Sequence, residues 1–266
     1  MMQPGLWTGF FLNEERTADL PSLQADIRRL RAAGFSYGEM DERNAFALFV
    51  ACTEAEAEMN AAALAEEHFF TQLHAPKPVN DLMLQNCCED RILAACAAMH
   101  IPVIVTHPYI AESPETEPRK ESLSYLRRFT DKAERFDLKI ALENQIYPVD
   151  LDFYLDNNPG MGVNIDFAHA LAVGADVPAM IRRYGERLYG LHVSDSDGRG
   201  EDYHIMPGKG ILSWQEVLAS LTEVSYTGDL HLEIVHERST EKEKNDRTAV
   251  EAFAVCDNLL RLAKER

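Results

Sequence analysis

Six short apolar runs in this chain each finish on a residue type that binds metals or moves protons: FFTQLH at His74, IPVIVTH at His107, KIALE at Glu143, MGVNID at Asp166, LYGLH at His192 and GDLHLE at Glu233. Any one of these endings has an ordinary explanation, since a histidine after an apolar run is usually a core or loop residue and a strand-end Asp usually caps a helix. Six in succession call for a shared cause. Three carboxylates and a histidine make a mixed oxygen and nitrogen donor set suited to manganese, cobalt, magnesium or zinc. Forced together without a cation, such groups would repel one another. A divalent ion in their midst polarises a carbonyl or generates hydroxide, and a carboxylate beside it takes or gives a proton.

The segment GLHVSDSDGRGEDYHIMPGKG, residues 190 to 210, extends this set. The glycines of GRG let the chain fold back after His192, which returns Asp202 and His204 towards the same place. Two residues apart on an extended segment, they point the same way. His169 stands three past Asp166, one helical turn, and is expected to rejoin the site as a metal or substrate contact. Lys209 and Arg199 are the cations offered to an anionic group on a small substrate. The GKG at 208 to 210 is not a phosphate-cradling P-loop, because it lacks the spaced glycine and the following Ser or Thr. Asp195 and Asp197 are expected as turn formers. His231 alternates with Glu233 and so belongs inside the fold, His68, His100 and His236 are expected to be structural, and Trp7 and Trp214 to be core aromatics. Gln145, Tyr109 and Tyr147 are loop positions suited to substrate choice.

Elements that bring residues 74 to 233 together must repeat. The chain alternates β-branched or aromatic runs, from LWTGFF and FSYGEM onward to GDLHLEIV, with amphipathic stretches such as PSLQADIRRLRAAG, TEAEAEMNAAALAEE, NCCEDRILAACAAMH, KESLSYLRRFTDKAERF, VPAMIRRYGERL, SWQEVLASLTEV and DRTAVEAFAVCDNLLRLAKE. About eight such βα units without a dividing linker predict one (β/α)8 TIM barrel over residues 1–266. All strands of a barrel end on one face, so the six endings converge there. An open doubly wound sheet would instead expect a Gly-rich first turn, and this one reads LNEERTADLPS.

The 44 acidic and 26 basic residues give a formal net charge of -18, which disfavours nucleic acid and anionic membrane surfaces as partners. The five cysteines include no C-x-x-C pair, so neither a disulfide framework nor a thiolate zinc site is indicated. MMQPGLWTGFFLNEE lacks the pattern of an export signal, and no stretch has the apolar length of a membrane span, so a cytoplasmic protein is expected.

In ALEN at 141 to 144, NIDFAHA at 164 to 170, LHVSDSDG at 191 to 198, DYHIMPGKG at 202 to 210 and LHLEI at 230 to 234, the sequence resembles the xylose isomerase-like barrel superfamily. That group includes sugar phosphate isomerases and epimerases, among them relatives of tagatose 3-epimerase, hydroxypyruvate isomerase and inosose dehydratase, and also endonuclease IV. The isomerase side of the resemblance implies one divalent ion held by Glu143, Asp166, His192 and Glu233, with His169 touching substrate. Glu143 and Glu233 would then be the catalytic bases, passing a carbon-bound proton of a small polyhydroxylated substrate through an enediol. Such relatives often associate through their barrel ends, which makes a homo-oligomer an expectation.

Endonuclease IV implies something else: a phosphoesterase with three zinc ions, for which His74, His107, Glu143, Asp166, His169, His192, Asp202, His204 and Glu233 fall at the expected ligand positions. One to three ions per chain therefore stay open. Where that enzyme reads DNA with basic and aromatic side chains, this chain has VACTEAEAEMN after AFALF, which repels a duplex.

Overall fold

The computed structural model describes residues 2–15, 17–78, 82–108, 119–147 and 149–264. Eight parallel strands alternate with helices: β1 (Pro4–Trp7), α1 (Leu20–Ala33), β2 (Tyr37–Met40), α2 (Glu42–Ala45), α3 (Glu54–Ala65), β3 (Phe70–His74), α4 (Leu82–Met99), β4 (Val103–Thr106), α5 (Arg119–Glu134), β5 (Lys139–Glu143), α6 (Leu151–Asn157), β6 (Gly162–Asp166), α7 (Phe167–Ala172), α8 (Val177–Tyr184), β7 (Leu188–Val193), α9 (Trp214–Glu223), β8 (Leu230–Leu232) and α10 (Lys242–Lys264). The strands pair in chain order and β8 returns to β1, closing the predicted (β/α)8 barrel. Among the described residues no helix is long and apolar enough to cross a membrane.

The helices start where the sequence supplies caps. Asp19 accepts from the Ser22 N–H at 2.8 Å, Pro21 occupies the first turn of α1, and Gly34 ends it in the left-handed region at φ 115°. Thr53 and Glu56 form a capping box on α3. At the seam of the ring, Arg29 on α1 reaches Asp246 on α10 (Nε–Oδ1 2.6 Å) and Glu14 (2.7 Å), tying the first helix to the last over β1 and β8.

Several boundaries differ from those read in the sequence. LWTGFF is a strand only to Trp7; Thr8–Phe11 turns into a 3-10 helix that buries Phe10 and Phe11 side by side, which an alternating strand cannot do. His107 and Glu233 stand one residue beyond β4 and β8. The turns of α2, α6 and α7 are too short to carry a readable period.

The barrel interior beneath the strand ends is polar, where branched apolar side chains are the usual filling. Glu39, Gln72, Asn164 and His231 are all buried there. His231 meets Thr71 Oγ1 at 3.2 Å through Nε2; burial and the neighbouring His192 push its pKa down to about 3, so it is neutral. Gly190 makes room for this layer, because a Cβ there would overlap Gln72 Oε1 and Asn164 Oδ1. Gly190→Ala is expected to lower stability by about 1–3 kcal/mol through overpacking, measured as a shift in the urea midpoint with the slope unchanged. An unchanged midpoint would mean that the layer yields.

Candidate metal centre

Glu143 stands at the centre of the strand ends. It is buried, with Oε1 2.5 Å from His192 Nδ1 and Oε2 facing His107 Nε2 and, at 3.4 Å, His74 Nε2. Asp166, fully buried at the end of β6, uses Oδ1 to cap α7 at the His169 N–H (2.8 Å). Its Oδ2 makes no hydrogen bond and lies 3.7 Å from His192 Nδ1 and 3.8 Å from His204 Nδ1. Glu233 Oε2 is 2.9 Å from His192 Nδ1. One ligand atom from each of Glu143, Asp166, His192 and Glu233 thus falls within 4.8 Å of the others. Three carboxylates and one imidazole nitrogen fit a divalent cation, and the buried Asp166 Oδ2, which has no hydrogen-bond partner, faces the place one would take.

Two further groups share residues with this quartet. His74, His107 and Glu143 form one, and Asp166, His169 and His204 the other, both within the same 4.8 Å limit. Asp202 joins the second: its Oδ1 lies 2.8 Å from His204 Nε2 and 3.6 Å from His169 Nε2. Main-chain carbonyls orient three of the histidines. His74 Nδ1 donates to Ala75 O (3.1 Å), His169 Nδ1 to Asn144 O (2.9 Å) and His204 Nδ1 to Glu233 O (3.0 Å), so each presents Nε2 to the carboxylates.

The electrostatics are those of carboxylates balanced by protons on histidine. Burial opposes the imidazolium of His74, but Glu143, Glu42 and Glu39 hold it, pushing its pKa up to about 10. Burial likewise opposes the His204 cation, and Asp166, Asp202 and Glu233 push it up to about 10. His192 is raised well above its usual range despite burial, by Glu39, Glu143 and Glu233. Burial alone would raise Glu143, yet His192 and His107 hold it well below the usual carboxylate range.

All nine residues of the predicted set therefore meet at one mouth, and two other candidates do not. Lys209 Nζ pairs with Glu251 on α10 (3.2 Å) and Glu237 (3.6 Å), and Arg199 is an exposed partner of Asp197 (3.2 Å). Asp195 proves to be the buried anchor of the 190–210 loop, accepting from Trp214 Nε1 and the Gly208 N–H, both at 3.0 Å, and from the Leu212 N–H at 3.2 Å. An antiparallel bridge from Asp195 to Ile205 brings His204 back as the glycines suggested. Tyr109 lies outside the described residues.

Sequence reasoning passed over two groups. Asn144 accepts from the Asp166 N–H (2.8 Å) and donates to its carbonyl (2.9 Å), pinning the end of β6; its place directly after Glu143 in ALEN was the available signal. Glu39, fully buried on β2, sets both oxygens 3.0 Å from His192 Nε2 and accepts from Gln72 Nε2 at 2.9 Å.

Comparison with known proteins agrees with this architecture. An uncharacterized protein of Methanocaldococcus jannaschii, MJ1311, is 28% identical over 196 residues, which cover 68% of this chain and 63% of that one. Inosose isomerase of Bacillus subtilis is 22% identical over 162 residues, 54% of this chain and 57% of the enzyme. The chain thus spans about three-fifths of the length of these curated relatives. Among solved structures, L-ribulose 3-epimerase superposes with a TM-score of 0.77 at 15% identity, covering 100% of this chain and 96% of that one. The IOLI protein with a bound zinc atom gives 0.73 at 19%, covering 98% of both chains. Both share the fold. The family model described as xylose isomerase-like TIM barrel matches residues 27–258, and by the extent of that match the chain belongs to the xylose isomerase-like TIM barrel family.

Proposed function

We propose that the protein is a divalent-metal-dependent isomerase or epimerase of a small polyhydroxylated substrate, a sugar or sugar phosphate. The observation that carries this reading is the quartet of Glu143, Asp166, His192 and Glu233, which supplies both a metal's donors and two carboxylates from different walls of the ring. The names of the inosose isomerase and epimerase relatives support it.

Those four residues would hold the ion, which when bound polarises a substrate carbonyl and the neighbouring hydroxyl and so acidifies the carbon-bound proton between them. The neighbouring histidines lower both glutamates below their usual range against the effect of burial, so each meets substrate ionised, as a base. Glu233, with its side chain 16% exposed, is the carboxylate that a molecule entering the mouth reaches first. It removes the proton to leave an enediol; Glu143, deeper on β5, serves the other face, and return of the proton from either carboxylate gives isomer or epimer. His169, 14% exposed, and Asp202, 43% exposed, rim the same opening and are placed to bind hydroxyls.

The test is incubation of the manganese- or cobalt-loaded protein with ketoses and ketose phosphates in D2O. The expected result is deuterium at a single carbon, seen by NMR. No uptake from any of them would overturn the reading.

A second reading rests on the two additional groups, whose histidines present Nε2 to Glu143 and to Asp202. They favour two or three ions, an arrangement suited to phosphoester hydrolysis. The net charge of -18 then points to a small phosphoester in preference to DNA. Metal content by elemental mass spectrometry separates the two: about one ion per chain for proton transfer, two or three zinc ions for hydrolysis.

A further inference from the structure

We propose that Glu39 is the positioning residue that decides which nitrogen of His192 meets the metal. The inference rests on reading Glu143, Asp166, His192 and Glu233 as the set that holds the ion.

The His192 imidazole is fully buried between two groups of carboxylates. Nδ1 faces Glu143 Oε1 at 2.5 Å, Glu233 Oε2 at 2.9 Å and Asp166 Oδ2 at 3.7 Å. Nε2 faces Glu39, with both oxygens at 3.0 Å. With both oxygens 3.0 Å from Nε2 and one of them already accepting from Gln72, Glu39 meets the ring as an acceptor, so Nε2 carries a proton on that side. With Nε2 protonated, a neutral ring offers its lone pair from Nδ1, the side on which the quartet converges. Gln72, in register with Glu39 across the β2–β3 pair, donates to Glu39 Oε2 at 2.9 Å and fixes the carboxylate in turn.

His192 differs here from the other histidines of the mouth. His74, His169 and His204 present Nε2 because a backbone carbonyl takes the Nδ1 proton. His192 presents the opposite nitrogen and depends on a side chain 153 residues away. Branched apolar side chains usually fill this part of a barrel, and Glu39 is instead a carboxylate without exposed surface, which costs free energy unless it is paired. A role in holding the ligand accounts for it. Partners of this kind are worth about 10–100-fold in metal affinity.

The experiment titrates the full chain, stripped of metal, with Co2+ alone against a chromophoric chelator, comparing wild type, Glu39→Gln and Glu143→Gln. Glu39→Gln is expected to weaken cobalt binding about 10–100-fold, and the unfolding midpoint of the metal-free protein to fall, because buried His192 loses a carboxylate partner. On the zinc-loaded protein, long-range 1H–15N correlation is expected to show His192 protonated at Nε2 in wild type and that signal displaced in Glu39→Gln, with His231 unmoved; a merely structural role would not single out His192. If wild type binds cobalt, Glu143→Gln loses it and Glu39→Gln matches wild type within twofold, the positioning role is overturned and the metal reading stands. If wild type itself takes up no cobalt, the metal reading fails and this inference with it. Should Glu39→Gln not fold, Glu39→Asp keeps the charge but withdraws it by one methylene. Weakened binding in that variant supports the role, and unchanged binding overturns it.

Discussion

Glu143→Gln is expected to cut turnover by about 10³-fold or more and to lower the metal content of the purified protein. Glu143 belongs to the quartet, completes the group with His74 and His107, and is one of the two proposed bases. Glutamine keeps the volume and one acceptor but cannot carry charge, so His192 and His107 lose the carboxylate that holds them and the ion loses a donor. Removing one partner of a buried charged network leaves the others uncompensated. The loss should therefore appear in metal content and turnover alike, with elemental analysis and the deuterium assay as readouts. Near-normal turnover at full metal content would remove Glu143 from both roles.

Chelation is expected to have the second largest effect. A ligand at 100 to 1,000 times its dissociation constant stabilises the native state by about 2.7–4.1 kcal/mol, which for a chain of this size is a rise in Tm of about 5–15 °C. The pH dependence should reverse between the two forms. In the metal-free protein, His74 and His204 titrate at about 10 and His192 is raised well above its usual range. Groups raised in the folded state stabilise it fully below their unfolded pKa, about 6.5, and that contribution is lost as pH climbs through the folded values. In the metal-bound protein His192 must give up a proton to bind, and in a multi-ion site His74 and His204 must as well, so the stabilisation by metal weakens as pH falls. Scanning calorimetry at pH 6, 7 and 8 with and without chelator checks both slopes. Identical Tm values at every pH would show that no ion is held at this site.

The sequence makes the candidate quartet readable because each of its residues closes an apolar run, and a closed barrel sends every such ending to one face. Glu39 stays hidden for a physical reason. Met40 and Asp41 follow it, so it closes nothing, and the partner that explains it lies on the far side of the ring. Gln72 is concealed likewise, inside FFTQLH two residues before the histidine that draws attention. Spacing alone proposed Lys209 and Arg199 as substrate contacts; it contains no trace of Glu251, whose helix passes close enough to take Lys209 as an ion-pair partner. Asp195 shows the converse. A turn former by type, it becomes a buried hub because Trp214 and the Gly208 and Leu212 amides converge on it, a convergence that tertiary packing alone creates.

The seam between β1 and β8 bears on how the site is made and unmade. Each strand of the ring has two neighbours, so until β8 docks against β1 and β7 the sheet is an open ribbon with bare edges. Glu233 rides on that last strand, while Glu143, Asp166 and His192 sit on three consecutive strands already paired with one another. Three of the four side chains thus stand on strands that pair with one another without β8, and the fourth belongs to the strand that closes the ring. An ion held by all four residues would tie the closing strand to the other three, so chelation is expected to loosen this seam first while the ring stays folded.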